Sequence, residues 1–200
     1  TFAFLELNAR LQVEHTVTEE VLGLDLVALQ LAVAGGATLR ELGLEAPPPA
    51  PRSQAVQLRI NGEALGPDGS PRPASGRITR FECANGPGIR VDTAATAGYA
   101  PNPAFDTLLA KLIVSCRTLE FGDLIARAQR ACREFVIEGT QTNLPLLQAV
   151  LALPALAAAR VNTTYVEQHG EVLMQAAQDY VRAESAQSVA NRLEAACWDT

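Results

Sequence analysis

The sequence predicts an α+β fold, with small antiparallel strands and flanking helices. Three observations lead there. Val56, Leu58 and Ile60 alternate with Gln57, Arg59 and Asn61, the period of a half-buried strand. Glycine and proline punctuate the chain from Gly62 to Gly88 and leave room only for short strands between them. Apolar residues recur at helical spacing on either side of this region, after Thr16 and again after Phe121.

Taken in order, residues 1–14 read as a strand, because Ala3, Leu5, Leu7, Ala9, Leu11 and Val13 alternate with a largely polar face. A single long helix is predicted next. Thr16 and Glu19 have capping-box spacing, the stripe Leu22, Leu26, Leu29 and Val33 follows, and Gly35-Gly36 closes it. The proline-rich stretch EAPPPAPRSQ at 45–54 suits an exposed, extended connector. Beyond it a strand covers 55–63, with Pro67-Asp68-Gly69 as turn chemistry in the loop that follows. Short strands at 77–82 and 89–95 flank Asn85-Gly86-Pro87-Gly88, and the region reads as a meander.

After Asp106 the run LLAKLIVSC is apolar enough for a buried strand, placed in its second half. A helix from Phe121 to Phe135 shows Phe121, Leu124, Ala128, Ala131 and Phe135 on one face and Arg127, Arg130 and Arg133 on a solvated side. Thr142 and Asn143 precede Leu144-Pro145 as helix-start residues. From Thr163 onward the chain reads as helical, and a face through Val172, Ala176, Tyr180 and Ala183 is available to pack on a neighbouring domain.

Composition narrows the function classes. The chain has 200 residues, 48% of them hydrophobic, which suits a folded core rather than disorder. Its net charge of −6 supplies no basic field for nucleic acid or an anionic membrane surface. No run approaches the roughly 20 apolar residues of a membrane span. The opening TFAFLELNAR has neither a secretory signal nor an initiator methionine, which suggests a fragment of something longer. Cys83, Cys116, Cys132 and Cys197 lack metal-binding spacing and read as reduced thiols of a cytoplasmic protein. Lys111 is the only lysine, and enzymes that grip nucleotide phosphates use several cations, lysine prominent among them.

The residues with chemical potential stand in a row. On the first segment, the face opposite the leucines presents Glu6, Asn8, Arg10, Gln12 and Glu14, neighbours lying about 7 Å apart on an extended chain. Glu6 and Asn8 are hard oxygen donors suited to Mg²⁺. Arg10 offers a planar fork for a small oxyanion, and Glu14 is a carboxylate able to take a proton from what the arginine holds. A wet edge strand with weak surface ion pairs would show the same pattern, and Arg59 on its own strand would equally suit a surface position.

The order of these residues carries more. ELNARLQVEHTVTE at 6–19 closely resembles the E-[MV]-N-x-R-[LI]-Q-V-E-H-x-V-T-E segment of biotin carboxylases, the ATP-grasp components of acyl-CoA and pyruvate carboxylases. The likeness continues in GLDLVALQLAVAGG at 23–36, LRIN at 58–61, SGRITRF at 75–81, GPGIRVD at 86–92, FDTLLAKLIV at 105–114, EFVIEGTQTNLPLL at 134–147 and VNTTYVEQH at 161–169. It implies the end of an ATP-grasp domain at 1–45, the connector at 46–54, a biotin carboxylase C-terminal subdomain at 55–169 and a helical extension towards the next domain at 170–200.

The resemblance also implies roles. Glu6 and Asn8 would hold Mg²⁺ (or Mn²⁺) with ATP. Arg10, Gln12 and the backbone of Val13 would bind bicarbonate, and Glu14 would be its general base. Arg59 would stabilise the biotin enolate, with Asp106 bordering that site, whereas His15 suits a structural hydrogen bond. Biotin would be carried by another domain or chain, since no Met-Lys-Met occurs. A biotin carboxyl carrier domain and a carboxyltransferase domain would be partners, and the intact enzyme a homo-oligomer. The chain departs from the family pattern at Thr16, usually proline, at Gln57, at Gly62-Glu63-Ala64, in the loop LGPDGSPRPASG and at Ala104. The phosphate-gripping lysines of the family would lie upstream, so the 200 residues alone are expected to be inactive. A non-catalytic assembly module of the same fold, or another ATP-grasp ligase such as a carbamoyl-phosphate synthetase, remains an alternative at this stage.

Overall fold

The computed structural model describes residues 3–46, 50–51, 53–66, 70–102, 104–117 and 120–183. Residues 3–11 have no regular structure, and Phe4, Leu5 and Leu7 are exposed. The strand expected over 1–14 is therefore not formed in its described part. A strand holds its backbone by pairing with a neighbour, and none of the described strands lies beside this segment.

The single helix expected after Thr16 is two helices, α1 (His15–Leu22) and α2 (Leu26–Ala34). Gly23 takes the left-handed conformation, φ 70°, and its N–H closes α1 on the Glu19 carbonyl. Asp25 then starts α2 by accepting the Ala28 N–H at 2.8 Å. Glu19 does not reach back to form a capping box; its carboxylate accepts the Leu26 N–H at 2.8 Å and ties the two helices together. The apolar stripe runs straight through the break, which is why periodicity alone missed it.

The connector leads from exposed Ala50 and Pro51 into β1 (Gln54–Asn61). Next come a hairpin of β2 (Glu63–Leu65) and β3 (Pro71–Pro73), then β4 (Arg80–Glu82) and β5 (Ile89–Thr93). The turn Pro67-Asp68-Gly69 lies outside the described residues. The rest of the chain gives β6 (Leu108–Cys116), α3 (Phe121–Glu134), β7 (Val136–Glu138), α4 (Leu144–Leu151), α5 (Pro154–Ala157), α6 (Tyr165–Gln168) and a last helix, α7, at 170–183.

These strands do not form a meander. β6 runs between β1 and β5, antiparallel to both, and β4 pairs with β7. Gly88 explains part of this order. It sits at φ 74°, where a side chain would run into the Ser115 carbonyl, and its own carbonyl accepts the Ser115 N–H at 2.8 Å. The turn before β5 is thereby fastened to β6 and does not fold β5 back on β4. All of LLAKLIVSC is strand, not only its second half.

One face of the three-stranded sheet is apolar. Leu58, Ile60, Leu112 and Val114 pack there against Leu124, Ala128, Ala131 and Phe135, the stripe expected of α3. Its arginines are not uniformly solvated, because Arg127 donates to the carbonyls of Pro87 and Ser115 at 3.3 Å. Arg130 pairs with Glu134 at 3.1 Å on the exposed side. Cys83, Cys116 and Cys132 form no disulfide, and the last two are buried in the core; Cys197 lies outside the described residues.

α7 packs within the chain. Leu173 and Ala177 are buried against Ala149 of α4, with Ala176 and Tyr180 beside them. Val172 and Ala183, expected on a face towards a neighbouring domain, are exposed within this chain. Among the described residues, no helix is long and apolar enough to cross a membrane.

Candidate active site

The other face of the sheet is mostly polar, around the buried Ile113, and α1 lies across it. Antiparallel register sets Arg59 opposite Lys111, and Lys111 opposite Asp92; directly opposed residues share a face. Gln57, Arg90 and Ser115 occupy the same face by the two-residue period. Strands burying one face only would leave these charges in water. Here α1 meets Gln57 through Thr16, and Arg90 and Ser115 through Glu19 and Glu20.

Arg90 is the centre of this contact. It holds Asp92 through Nε at 2.8 Å and Nη2 at 3.1 Å, and reaches Glu19 at 2.8 Å and Glu20 at 3.5 Å through Nη1. Lys111 pairs with Asp92 at 3.2 Å, and the Ser115 hydroxyl donates to Glu20 at 3.3 Å. Burial pushes the Asp92 carboxyl up, but hydrogen bonds from Arg90 and Lys111 outweigh it and hold the group below the ordinary carboxylate range. Hydrogen bonding to Asp92 is the main cause that raises the Arg90 guanidinium still further above its ordinary value, against the cost of burial.

A second contact joins two positions at which the chain departs from the family pattern. The Thr16 hydroxyl, wholly buried, donates to the Gln57 side-chain oxygen at 2.5 Å. We expect Thr16→Val to lower stability by about 1–2 kcal/mol, the cost of stranding a partly buried acceptor, and Thr16→Ser to restore most of it. Urea denaturation measures both, and equal stability of Thr16→Val and the parent would show the contact to be idle.

These two contacts frame a third. Glu14, two residues before Thr16, accepts from Arg59, two residues after Gln57, at 2.9 Å. Both side chains are about half exposed, 53% and 51%. Such a pair is worth roughly 0–1 kcal/mol, so either partner is free to turn to an incoming ligand at little cost. Arg10, Gln12, Glu14 and His15 line one wall of an open groove of about 700 Å³, and Leu26, Leu29 and Val33 of α2 line the other. His15 is held in place, its Nδ1 2.7 Å from the Gln12 carbonyl. Since that carbonyl only accepts, Nδ1 carries the proton.

Glu6, Asn8, Val13 and Asp106 do not line this groove. Glu6 and Asn8 are exposed, and the Asn8 amide donates to Glu6 at 3.2 Å. Arg10 donates to the Leu11 carbonyl at 3.2 Å, while Val13 is half-buried and does not line the groove. Asp106 accepts the Leu108 N–H at 3.0 Å and so shapes the entry to β6. Sequence reasoning missed Gln57, Arg90, Asp92 and Lys111 as a group. The signal available was the polar face of β1 itself, since three polar residues at two-residue spacing ask for a polar partner.

Residues 57–168 match the family described as biotin carboxylase C-terminal domain, and residues 1–42 match carbamoyl-phosphate synthase L chain, ATP binding domain. Pyruvate carboxylase 1 of Caenorhabditis elegans is 41% identical over 172 residues, which are 86% of this chain and 14% of that protein. A single-chain, multi-domain long-chain acyl-CoA carboxylase superposes with a TM-score of 0.83 at 42% identity, covering 90% of this chain and 19% of that one. The biotin carboxylase domain dimer of Hydrogenobacter thermophilus 2-oxoglutarate carboxylase, solved with MgADP, ADP and bicarbonate, gives a TM-score of 0.74 at 32% identity over 83% of this chain and 35% of that one. The chain thus spans well under half the length of these relatives. With the first match covering more than half of its residues, the chain belongs to the biotin carboxylase C-terminal domain family.

Proposed function

We propose that this chain is part of the biotin carboxylase component of a biotin-dependent carboxylase, and that the intact protein carboxylates carrier-bound biotin with ATP, Mg²⁺ and bicarbonate. The observation that carries the reading is the contact of Arg59 with Glu14, which itself lines the groove. It brings a candidate base and a candidate anion-stabilising fork together from segments 45 residues apart. A rival carbamoyl-phosphate synthetase reading accounts for the match at 1–42 but not for that at 57–168.

In this reading Arg10 and Gln12, which line the groove, hold bicarbonate together with the backbone of the adjacent Val13. Glu14 takes its proton as the bicarbonate oxygen attacks the γ-phosphorus of ATP and ADP leaves. The carboxyphosphate so formed releases CO₂ and phosphate, the phosphate takes the proton of the biotin ureido nitrogen, and Arg59, released from Glu14, turns its fork to the ureido oxygen on which negative charge develops. Asp106 borders that position. Among the described residues no cluster of three or more histidine, cysteine or acidic side chains is placed to hold a metal. Glu6 and Asn8 each carry a hard side-chain oxygen, and the Asn8 amide nitrogen donates to Glu6 at 3.2 Å; the two oxygens are a donor set that fits Mg²⁺ when nucleotide phosphates and water complete the shell. The ion would neutralise phosphate charge during the transfer.

The two family matches at 1–42 and 57–168 support a division at the proline-rich connector, with an ATP-grasp end at 1–45 and a C-terminal subdomain at 55–169. The multi-domain architecture of the acyl-CoA carboxylase relative supports partnership with carrier and carboxyltransferase domains, and the dimer of the 2-oxoglutarate enzyme supports a homo-oligomer. A cytoplasmic setting agrees with Cys83, Cys116 and Cys132, which form no disulfide. The three relatives act on different acceptors, so the acceptor here is left as an acyl-CoA or a 2-oxo acid.

Arg59→Ala in the full-length protein tests the reading. We expect biotin-dependent carboxylation to fall by on the order of 10²-fold or more, the scale of losing one oxyanion-stabilising donor, with assembly unchanged. Normal carboxylation with lost assembly would instead mark the face as an interface.

A further inference from the structure

We infer that Asn143 is a positioning residue for Arg59, an inference that rests on the site reading above. β1 is the outer strand of its sheet, paired with β6 on one side only. Its other edge therefore carries backbone groups that need partners. The ladder with β6 also shifts between Ile60 and Asn61, where Ile60 faces Ala110 but Asn61 faces Leu108. A shift of this kind bends and twists a strand locally. It falls one residue beyond Arg59, whose guanidinium must be aimed.

Asn143 occupies that open edge. Its side-chain amide donates to the Arg59 carbonyl at 3.0 Å, and its side-chain oxygen accepts the Asn61 N–H at 2.9 Å. Its own backbone N–H donates to the Asn61 carbonyl at 3.1 Å. One residue thus makes the three hydrogen bonds that a neighbouring strand would make, at Arg59 and Asn61, the residues on either side of Ile60. Asn143 is buried, and although it stands at the start of α4 its side chain makes no cap. Thr142 takes that part, its hydroxyl accepting the Leu144 N–H at 3.4 Å. The residue best placed to cap α4 is turned instead to the strand that carries Arg59.

Beyond Asn143 the support continues towards the entry of β6. The Asn61 amide donates to Glu63 at 3.1 Å, and the Thr107 hydroxyl donates to the same Glu63 oxygen at 2.6 Å. Arg59 and the stretch next to Asp106 are in this way held by one hydrogen-bonded chain. A reacting group displaced by about 1 Å loses on the order of 10²-fold in rate, so loosening the strand at Asn143 acts on the step that uses Arg59.

The test uses the full-length protein and two activities, biotin-dependent carboxylation and the slower bicarbonate-dependent ATP cleavage measured without biotin. For Asn143→Ala we expect the first to fall about 10- to 100-fold and the second less than about 3-fold. In an Arg59→Ala background the same substitution should then change the carboxylation rate less than about 2-fold, because its route is already cut. Should Asn143→Ala not fold, Asn143→Asp carries the test, since it keeps the acceptor for Asn61 and loses the donor to Arg59. Equal loss of both activities, or the same fold-loss with and without Arg59, would show a merely structural role and overturn the inference. Normal carboxylation by Arg59→Ala alone would sink the site reading itself, and the role of Asn143 with it.

Discussion

Glu14→Gln in the full-length protein is expected to lower bicarbonate-dependent ATP cleavage by roughly 10²- to 10⁴-fold, the range a positioned general base contributes. The substitution is nearly isosteric and removes the ability to accept a proton while keeping an oxygen that Arg59 can donate to. Because the Glu14–Arg59 pair is half exposed on both sides, the loss of its charge should change folding stability by less than about 1 kcal/mol. Rate and stability are thereby separated in one variant. Single-turnover cleavage of ATP with and without bicarbonate reads the first, and a urea melt the second. A rate within a few-fold of the parent would remove Glu14 from the chemistry and leave the contact with Arg59 as surface electrostatics.

The parts of the fold legible in the sequence were those in which one element carries its own signal. The stripe of α3, the alternation of β1 and the apolar run of β6 each specify both the element and the face it buries. What failed was pairing. Nothing in FECANGPGIRVD states that β5 joins β6 and β4 joins β7, because the backbone bonds that decide it, such as Ser115 N–H to the Gly88 carbonyl, lie far apart in sequence. The first fourteen residues show the opposite failure. Their alternation is that of a strand, but a strand is a property of two segments, and the described residues contain only one of them.

The site divides in the same way. Glu14 and Arg59 were each visible through resemblance to a family, but their contact was not, since the route between them passes through Thr16 and Gln57. Those two positions looked like departures from the family pattern when read separately. In the structure they are a single buried hydrogen bond that sets the register of α1 on β1, two residues from the contact it serves. The lone lysine, first read as a shortage of phosphate ligands, holds Asp92 in the sheet and takes no part in the groove.

Arg90→Ala is expected to loosen α1 from the sheet. It removes the guanidinium that pairs at 2.8 Å with Glu19, whose side chain is 6% exposed, and leaves His15 at 4.0 Å. Breaking a buried pair costs about 3–5 kcal/mol; Arg90 itself is 35% exposed, which puts the expected loss nearer 2 kcal/mol. Acid should act through the same network. The Asp92 carboxyl lies below its ordinary value in the folded state, so its contribution is fully present above its unfolded pKa, about 3.9, and is lost as pH falls through the lower folded value. In Arg90→Ala that acid-dependent part should shrink, because one of the two cations that depress Asp92 is gone while burial still raises it. Hydrogen exchange resolves the location: the amides of α1 should exchange faster in the variant, with those of β6 still protected by the apolar core on the opposite face. Uniform acceleration across both elements would mean that Arg90 supports the sheet as a whole, and unchanged α1 amides would mean that the helix is held by Thr16 and Gln57 alone.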